Sequence, residues 1–474
     1  MSEGDGMNLL FTGSSFIAHP LSVFRDEPFL KAIDLMKNAD VTFANPECCI
    51  IDGDEWPNYG SGMGWAGSYF AAPPMMVGEL KFMGISALYA ANNHVSDFGE
   101  RGILSMMKHL RRGGMPFAGI GASLAEASEP TYIWTQHGRV ALMAMADWGP
   151  RQNLDLGAPW PAGYMPSDEG PWYTSRPGVN LLRYDAAIHV DREAFDQLQR
   201  ISHKLDWERA KTARRTGGSS STMPVPWPTA IGWEKDTETE FHFMGRHFIM
   251  GEEFGFSTYP YQEDLDRLYQ QIRSARRQAE VVVVALHDQI HDPGKDLKTH
   301  DYIRTTAYGC IDAGADIFIC NGGTARGVEI YKGKVILHGQ GGGFGLSNMQ
   351  VEHVPESLLR RKGLGPESTT ADFYGKRESD HARSEEAGGL PPILTRDTEH
   401  VIQAVVFNQS FEAQEVRAYP IARPGGTRER VAGLVEPGSE VFNRAIQRAT
   451  DLCKPFGTGF EVPGAGGYGV LEVR

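Results

Sequence analysis

Four consecutive valines open the run VVVVALHD at 281–288. A β-branched stretch with no polar alternation favours extended backbone and suits a strand buried on both faces, as in a parallel sheet covered by helices. The segment before it, DLDRLYQQIRSARRQAE, has helical spacing of its apolar residues. The same alternation recurs along the chain. MNLLFTG reads as a strand, EPFLKAIDLMKNAD as a helix and VTFANPE as a strand; residues 75–84 follow as a helix, ISALYA as a strand, ERGILSMMKHLRRGG as a helix closed by glycine, and RVALMAMA, GADIFICN and GKVILHG as strands. Such β-α-β order predicts a layered α/β fold.

The pattern breaks at two places. Residues 148–240 read as an insertion in a main domain spanning 1–350. They include a stretch rich in Pro, Gly and aromatics (Trp148, Trp160, Tyr164, Trp172, Tyr173) and the polar RRTGGSSSTMPVPWP. A surface excursion or a wall beside the site fits that composition. Residues 351–474 begin polar and irregular. HVIQAVVFN and EVRAYPIA then read as an antiparallel pair and SEVFNRAIQRATDLCK as a late helix, an extension packed on the same domain.

Composition narrows the function classes. The 474 residues carry a formal charge of -14 without a basic block, which argues against nucleic acid. No apolar run approaches a membrane span, and MSEGDGMNLLFTG lacks the basic start and long apolar core of a signal peptide. The five cysteines show no CxxC spacing and read as reduced thiols of a cytoplasmic protein. The expected partner is a small-molecule substrate; oligomeric state is not legible.

Chemistry gathers where the strands end. Asn45 and Glu47 follow VTFA, Asn92, Asn93 and His94 follow ISALYA, and His287 and Asp288 follow VVVVAL. Each alone reads equally well as a cap or turn residue. Together they fall at the carboxyl ends of strands, where α/β sheets collect ligands. A carboxylate, an amide oxygen and imidazoles suit a divalent ion such as Mn, Zn or Fe.

Four stretches carry a family resemblance. NPE, then LKFMGISALYAANNHVSDFGERGILSMMKHLRRGGMPFAGIGASLAEASEP, then VVVVALHD, then GADIFICNGGTARGVEIYKGKVIL resemble the poly-γ-glutamate capsule-synthesis (CapA-like) proteins of the calcineurin-like metallophosphatase superfamily. RPGVNLLRY at 176–184 is similar to a bacterial subgroup. The resemblance covers roughly residues 7–350, and the C-terminal part more weakly. It implies a four-layered α/β sandwich with metal ligands on the loops after the strands. It implies Glu47, Asn93 and His287 as ligands, His94 as acid or anion binder, and Asp97 as the residue that orients its loop.

The family pattern is not kept everywhere. Ser14 stands where the first strand should end in an aspartate ligand, and Asn321 and Thr324 fall at or near two expected histidines. A late SLGNF-type turn reads GQGGGFG. The expectation is therefore a reduced site holding one divalent ion through Glu47, Asn93 and His287. His94 and Asp288 would move protons, Asn321, His291 or His338 would fill gaps, and Asn45 and Asn92 would stand nearby. The implied reaction is hydrolysis of a phosphoester or amide-type bond in a small substrate; the aromatic insertion suggests an aromatic one. The alternatives are an epimerase, isomerase or lyase using acid–base chemistry on the same scaffold, and a non-catalytic binder. GMGWAG at 62–67 matches a dinucleotide fingerprint by letters but lacks the strand and helix around it. GQGGGFG could bring backbone amides to an anion. Cys48 and Cys49 read as buried residues rather than nucleophiles.

Overall fold

The computed structural model describes residues 6–15, 17–56, 70–148, 177–209, 236–244, 246–288, 299–322, 325–340, 356–373, 375–376, 379, 399–422, 431–464 and 466–473. The predicted alternation folds into two large sheets with helices, a mixed α/β architecture. The strands that matter for the site are β1 (Asn8–Ser14), β2 (Val41–Asn45), β3 (Ala87–Tyr89), β4 (Arg139–Trp148), β5 (Leu181–Val190), β6 (Val281–Asp288), β7 (Ile317–Gly322), β8 (Lys334–Leu337), β9 (Glu399–Phe407) and β10 (Ala413–Ala422). The helices are α1 (Glu27–Lys37), α2 (Gly99–Arg112), α3 (Gln262–Arg276), α4 (Asp301–Ala313) and α5 (Glu440–Cys453).

The eight-stranded sheet runs β10-β9-β1-β2-β3 through its centre, with Gly433–Leu434 and Phe117–Ala118 at its ends. β1, β2 and β3 are parallel, whereas β9 joins β1 antiparallel and pairs with β10. The C-terminal pair thus completes the first sheet. The ten-stranded sheet has β5-β4-β6-β7-β8 as consecutive parallel neighbours. β5 lies within the stretch read as an insertion, yet its first residues pair with the end of β4.

Period-two alternation sorts the valine run onto two faces. Val281, Val283 and Ala285 join the core shared with β1, β2, β3, β9, α1 and α2. Val282, Val284 and Leu286 pack instead with Leu265, Leu268 and Ile272 of α3 and Ile303, Ala307 and Cys310 of α4. The next two residues inherit this alternation: His287 belongs to the inner face and Asp288 to the outer. On β7 the inner residues Ile317 and Ile319 lead to Asn321, and on β4 the outer residues Met143 and Met145 lead to Asp147.

Among the described residues, no helix is long and apolar enough to cross a membrane. All five cysteines are free and buried.

Candidate active site

The inner-face residues meet around the His287 ring, which is 1% exposed. Parallel registry sets Asn321 beside it on the neighbouring strand. Asn321 Nδ2 donates to the Leu286 carbonyl at 3.2 Å, which turns Oδ1 toward His287 Nδ1 at 2.9 Å. Asn93 Oδ1 faces Nε2 of the same ring at 3.0 Å. From the first sheet, Asn45 Nδ2 approaches His287 Nδ1 at 3.2 Å, while its hydrogens also have Ser14 Oγ and Glu47 Oε2 within 3.3 Å. Asn45 Oδ1 accepts from the Glu47 and Asn92 N–H groups, which fixes that amide.

Two tautomers divide these contacts: Nε2–H serves the Asn93 oxygen while Nδ1 accepts from Asn45, or Nδ1–H serves Asn321 and Nε2 faces the Asn93 oxygen as a second acceptor. In the second tautomer a shared cation would join the two: ligands at about 2.1 Å and at right angles on one ion stand about 3.0 Å apart. The Nδ1–H to amide-oxygen bond is also the contact that orients metal-bound histidines. In that tautomer the residues present would accommodate an ion at the Asn93–His287 edge, with Asn321 as the outer partner. Glu47 reaches this set through Asn45. It is half-buried at φ 43, a left-handed conformation that costs a non-glycine residue about 1–2 kcal/mol. Among the described residues, three His, Cys, Asp or Glu ligand atoms lie within 4.8 Å of one another only at Asp52, Asp54 and Glu55. Asp52 there is bound by Lys108 and His109.

The sequence ANNHVSDFG supplies the second element. Asn92 caps the short turn Asn93–Ser96, its Oδ1 accepting from the His94 and Val95 N–H groups at 3.0 Å. That turn sets His94 three residues before Asp97, and Nδ1 meets Asp97 Oδ2 at 2.7 Å with both side chains buried. The same carboxylate oxygen accepts the Phe70 N–H at 2.8 Å, and the Phe70 ring stacks on His94 at 3.8 Å. With Nδ1–H directed at Asp97, Nε2 is left as the lone-pair nitrogen, the geometry a histidine–carboxylate pair uses in acid–base work.

Asp288 has other partners. On the outer face its Oδ2 accepts from Arg326 at 2.7 Å, each side chain 3% exposed. Tyr302 of α4 gives its hydroxyl to Asp147 Oδ2 at 2.7 Å and lies 3.3 Å from Asp288 Oδ1. Burial, then Asp147 and Asp288, hold the Tyr302 phenol well above its ordinary pKa, so it stays a donor. Tyr184 stacks on the Tyr302 ring at 4.1 Å. With its Oδ2 committed to a buried guanidinium and its Oδ1 facing Tyr302, Asp288 reads as a group that positions Arg326. Asp147, Tyr302 and Arg326 were not singled out in the sequence. Asp147 carried the signal that marked the others, an acidic residue ending an apolar strand; Arg326 carried none.

The remaining expected residues divide clearly. His338 is fully buried, with Nδ1 at 3.0 Å from Thr299 Oγ1, Nε2 at 2.7 Å from Glu329 and its ring stacked on Phe456. This ties α4 and the C-terminal segment to β8. Cys48 has its thiol pushed up to about 12 by burial, then by Glu47 and Asp97, and Cys49 gives its S–H to the Val95 carbonyl at 2.9 Å. Both are poor nucleophiles. His291, Thr324, GMGWAG, residues 341–345 of GQGGGFG and the aromatics Trp160, Tyr164, Trp172 and Tyr173 lie outside the described residues.

A mixed α/β fold with an amide- and imidazole-lined site at its strand ends is the class defined so far. The chain belongs to the bacterial capsule synthesis protein family PGA_cap, whose sequence profile matches residues 9–342. Two uncharacterized proteins of Sinorhizobium fredii, y4sH and y4uA, are each 26% identical to it over 464 residues, covering 96% of this chain and 91% of the relative.

Proposed function

We propose that this protein is a hydrolase that cleaves a phosphoester or amide-type bond in a small substrate, with the two sheets and their helices forming a four-layered sandwich of metallophosphatase type. The observation that carries the reading is the paired arrangement on one turn: Asn93 at His287 Nε2 and, one residue on, His94 held by Asp97. Asn93 and His287 would hold one divalent ion, with Glu47 as the nearby carboxylate. When bound, the ion would supply Lewis acidity toward the scissile group. His94 takes or gives the proton at Nε2, Asp97 fixes its tautomer and steadies the imidazolium, and Phe70 stacks against the ring. An amide oxygen and one imidazole make a weaker donor set than a cluster of carboxylates and imidazoles, so affinity below that of a full two-metal site is expected. Five free, buried cysteines support a reducing, cytoplasmic setting.

The test is metal content after purification without a metal-affinity tag, together with a screen of phosphoester and amide substrates with added Mn, Zn or Fe. Bound metal, and turnover that His94→Gln abolishes, support the proposal. Well under one equivalent of metal, no binding of added ions and no turnover refute it. The His94–Asp97 unit also supports a second reading, proton transfer at carbon by an epimerase or lyase. Solvent deuterium entering a substrate without hydrolysis would decide for it.

A further inference from the structure

A separate concavity of about 40 Å³ lies among the turn Ala325–Val328, Gly339 and Gln340 after β8, the first half of β9 and the last turns of α5. Arg326, Arg448, His400, Gln340 and Gln403 contribute its polar lining, and none of the described lining residues is acidic. Glu47, Asn93, His94 and His287 are not part of it. We propose that this cavity binds a compact oxyanion, a carboxylate or phosphate group, at a site distinct from the strand-end site.

Size and charge both lead there. One water needs about 10–15 Å³ by this measure, so the cavity holds about three waters or one small oxyanion. Arg326, Arg448 and His400 line it in a chain whose formal charge is -14, against the prevailing sign of the molecule. Arg326 is built in: its side chain is 3% exposed and one terminal nitrogen is set by Asp288 at 2.7 Å. A guanidinium presents five N–H donors on more than one edge, so holding Asp288 is compatible with holding a ligand oxygen.

The two lining amides are tied to each other and to Tyr89. Tyr89 donates its hydroxyl to Gln340 Oε1 at 3.0 Å, and Gln340 Nε2 donates to Gln403 Oε1 at 3.4 Å. The two guanidinium groups carry donors and no acceptor, as an oxyanion requires. The wall formed by Val328, Val401, Ala445, Ala449, Leu452 and Phe460 lowers the local dielectric and strengthens those contacts.

Titration of the intact protein with inorganic phosphate and with acetate, against chloride at matched ionic strength, tests this by calorimetry and thermal melting. A saturable response to phosphate or acetate is expected, about tenfold or more weaker in Arg448→Met and unchanged in His94→Gln. The stronger anion tells phosphate from carboxylate. His400→Gln serves as a second variant if Arg448→Met melts abnormally without ligand. Responses that follow ionic strength alone, or that survive both Arg448→Met and His400→Gln, overturn the proposal. So does a response lost only in His94→Gln, which would place the anion at the strand ends.

Discussion

Replacing Asp288 by alanine should be among the most destabilising single changes at the strand ends. The carboxylate and the Arg326 guanidinium are each 3% exposed, so neither recovers water when its partner is removed. Asp288→Ala takes the carboxylate from a buried guanidinium, and truncating one member of a buried pair costs about 3–5 kcal/mol. The hydroxyl of Tyr302 lies 3.3 Å from Asp288 but has Asp147 at 2.7 Å, so its loss adds little. At a urea slope of about 3 kcal/mol per molar, the midpoint should fall by about 1–2 M. Arg326→Met should cost a similar amount by taking the guanidinium from the buried carboxylate. Joining Arg326→Met to Asp288→Leu should recover most of the loss, because the double variant buries no lone charge. Urea unfolding followed by fluorescence measures all three. A shift below about 0.3 M for Asp288→Ala, or a double variant as weak as the sum of the singles, would refute the buried-pair reasoning.

Asn321→Leu should weaken binding of Mn or Zn by about 10–100-fold, by removing the acceptor that orients His287, and His287→Ala should abolish it; calorimetry reads both. His338 lies below its ordinary value of 6.5 because burial disfavours the imidazolium more than Glu329 favours it. The unfolded chain then binds the extra proton first, so stability should fall as pH drops below about 6.5, and His338→Gln should flatten that slope in pH-dependent melting. Gly322→Ala should lower the melting temperature sharply, since φ is +132° and a Cβ there would sit 1.9 Å from the Asp288 carbonyl oxygen. Glu47→Gly should raise stability by about 1 kcal/mol by relieving the left-handed backbone, while weakening any metal binding that uses the carboxylate; equal stability of the two proteins in urea would mean the φ of 43 carries no strain.

The fold was legible where one period dominates. VVVVALHD, the helix before it, HVIQAVVFN with EVRAYPIA, and the late helix all appear as read, because each is a long, uninterrupted run of one spacing. β5 was harder to see. Its sequence LLRYDAAIHV mixes charge with apolar residues because Asp185 and His189 lie on the face carrying Ser257 and Tyr259, opposite the apolar cluster around Phe195 and Phe248. Aromatic and proline-rich neighbours made that stretch resemble a loop. Of the site, Asn45, Asn93, His94 and His287 were visible as polar residues at the ends of apolar strands, and Asp97 through the resemblance of its loop. The orienting role of Asn321 was not, because it depends on β7 lying in register with β6, a long-range pairing that no local pattern encodes.

His287 and Asp288 show why spacing alone misassigns roles. They are adjacent in sequence and both end the same strand, which invites reading them as two parts of one catalytic group. A strand sends neighbours to opposite faces. His287 therefore joins the amides of both sheets, while Asp288 passes to the side where α4 packs and is neutralised by Arg326. The proposed proton-transfer role then rests on His94, whose partner Asp97 is three residues away along a turn and so can stay on the same side. Asp288, through Arg326, instead connects the strand ends to the cavity beside α5, so an anion there would act on the residue that holds this carboxylate in place.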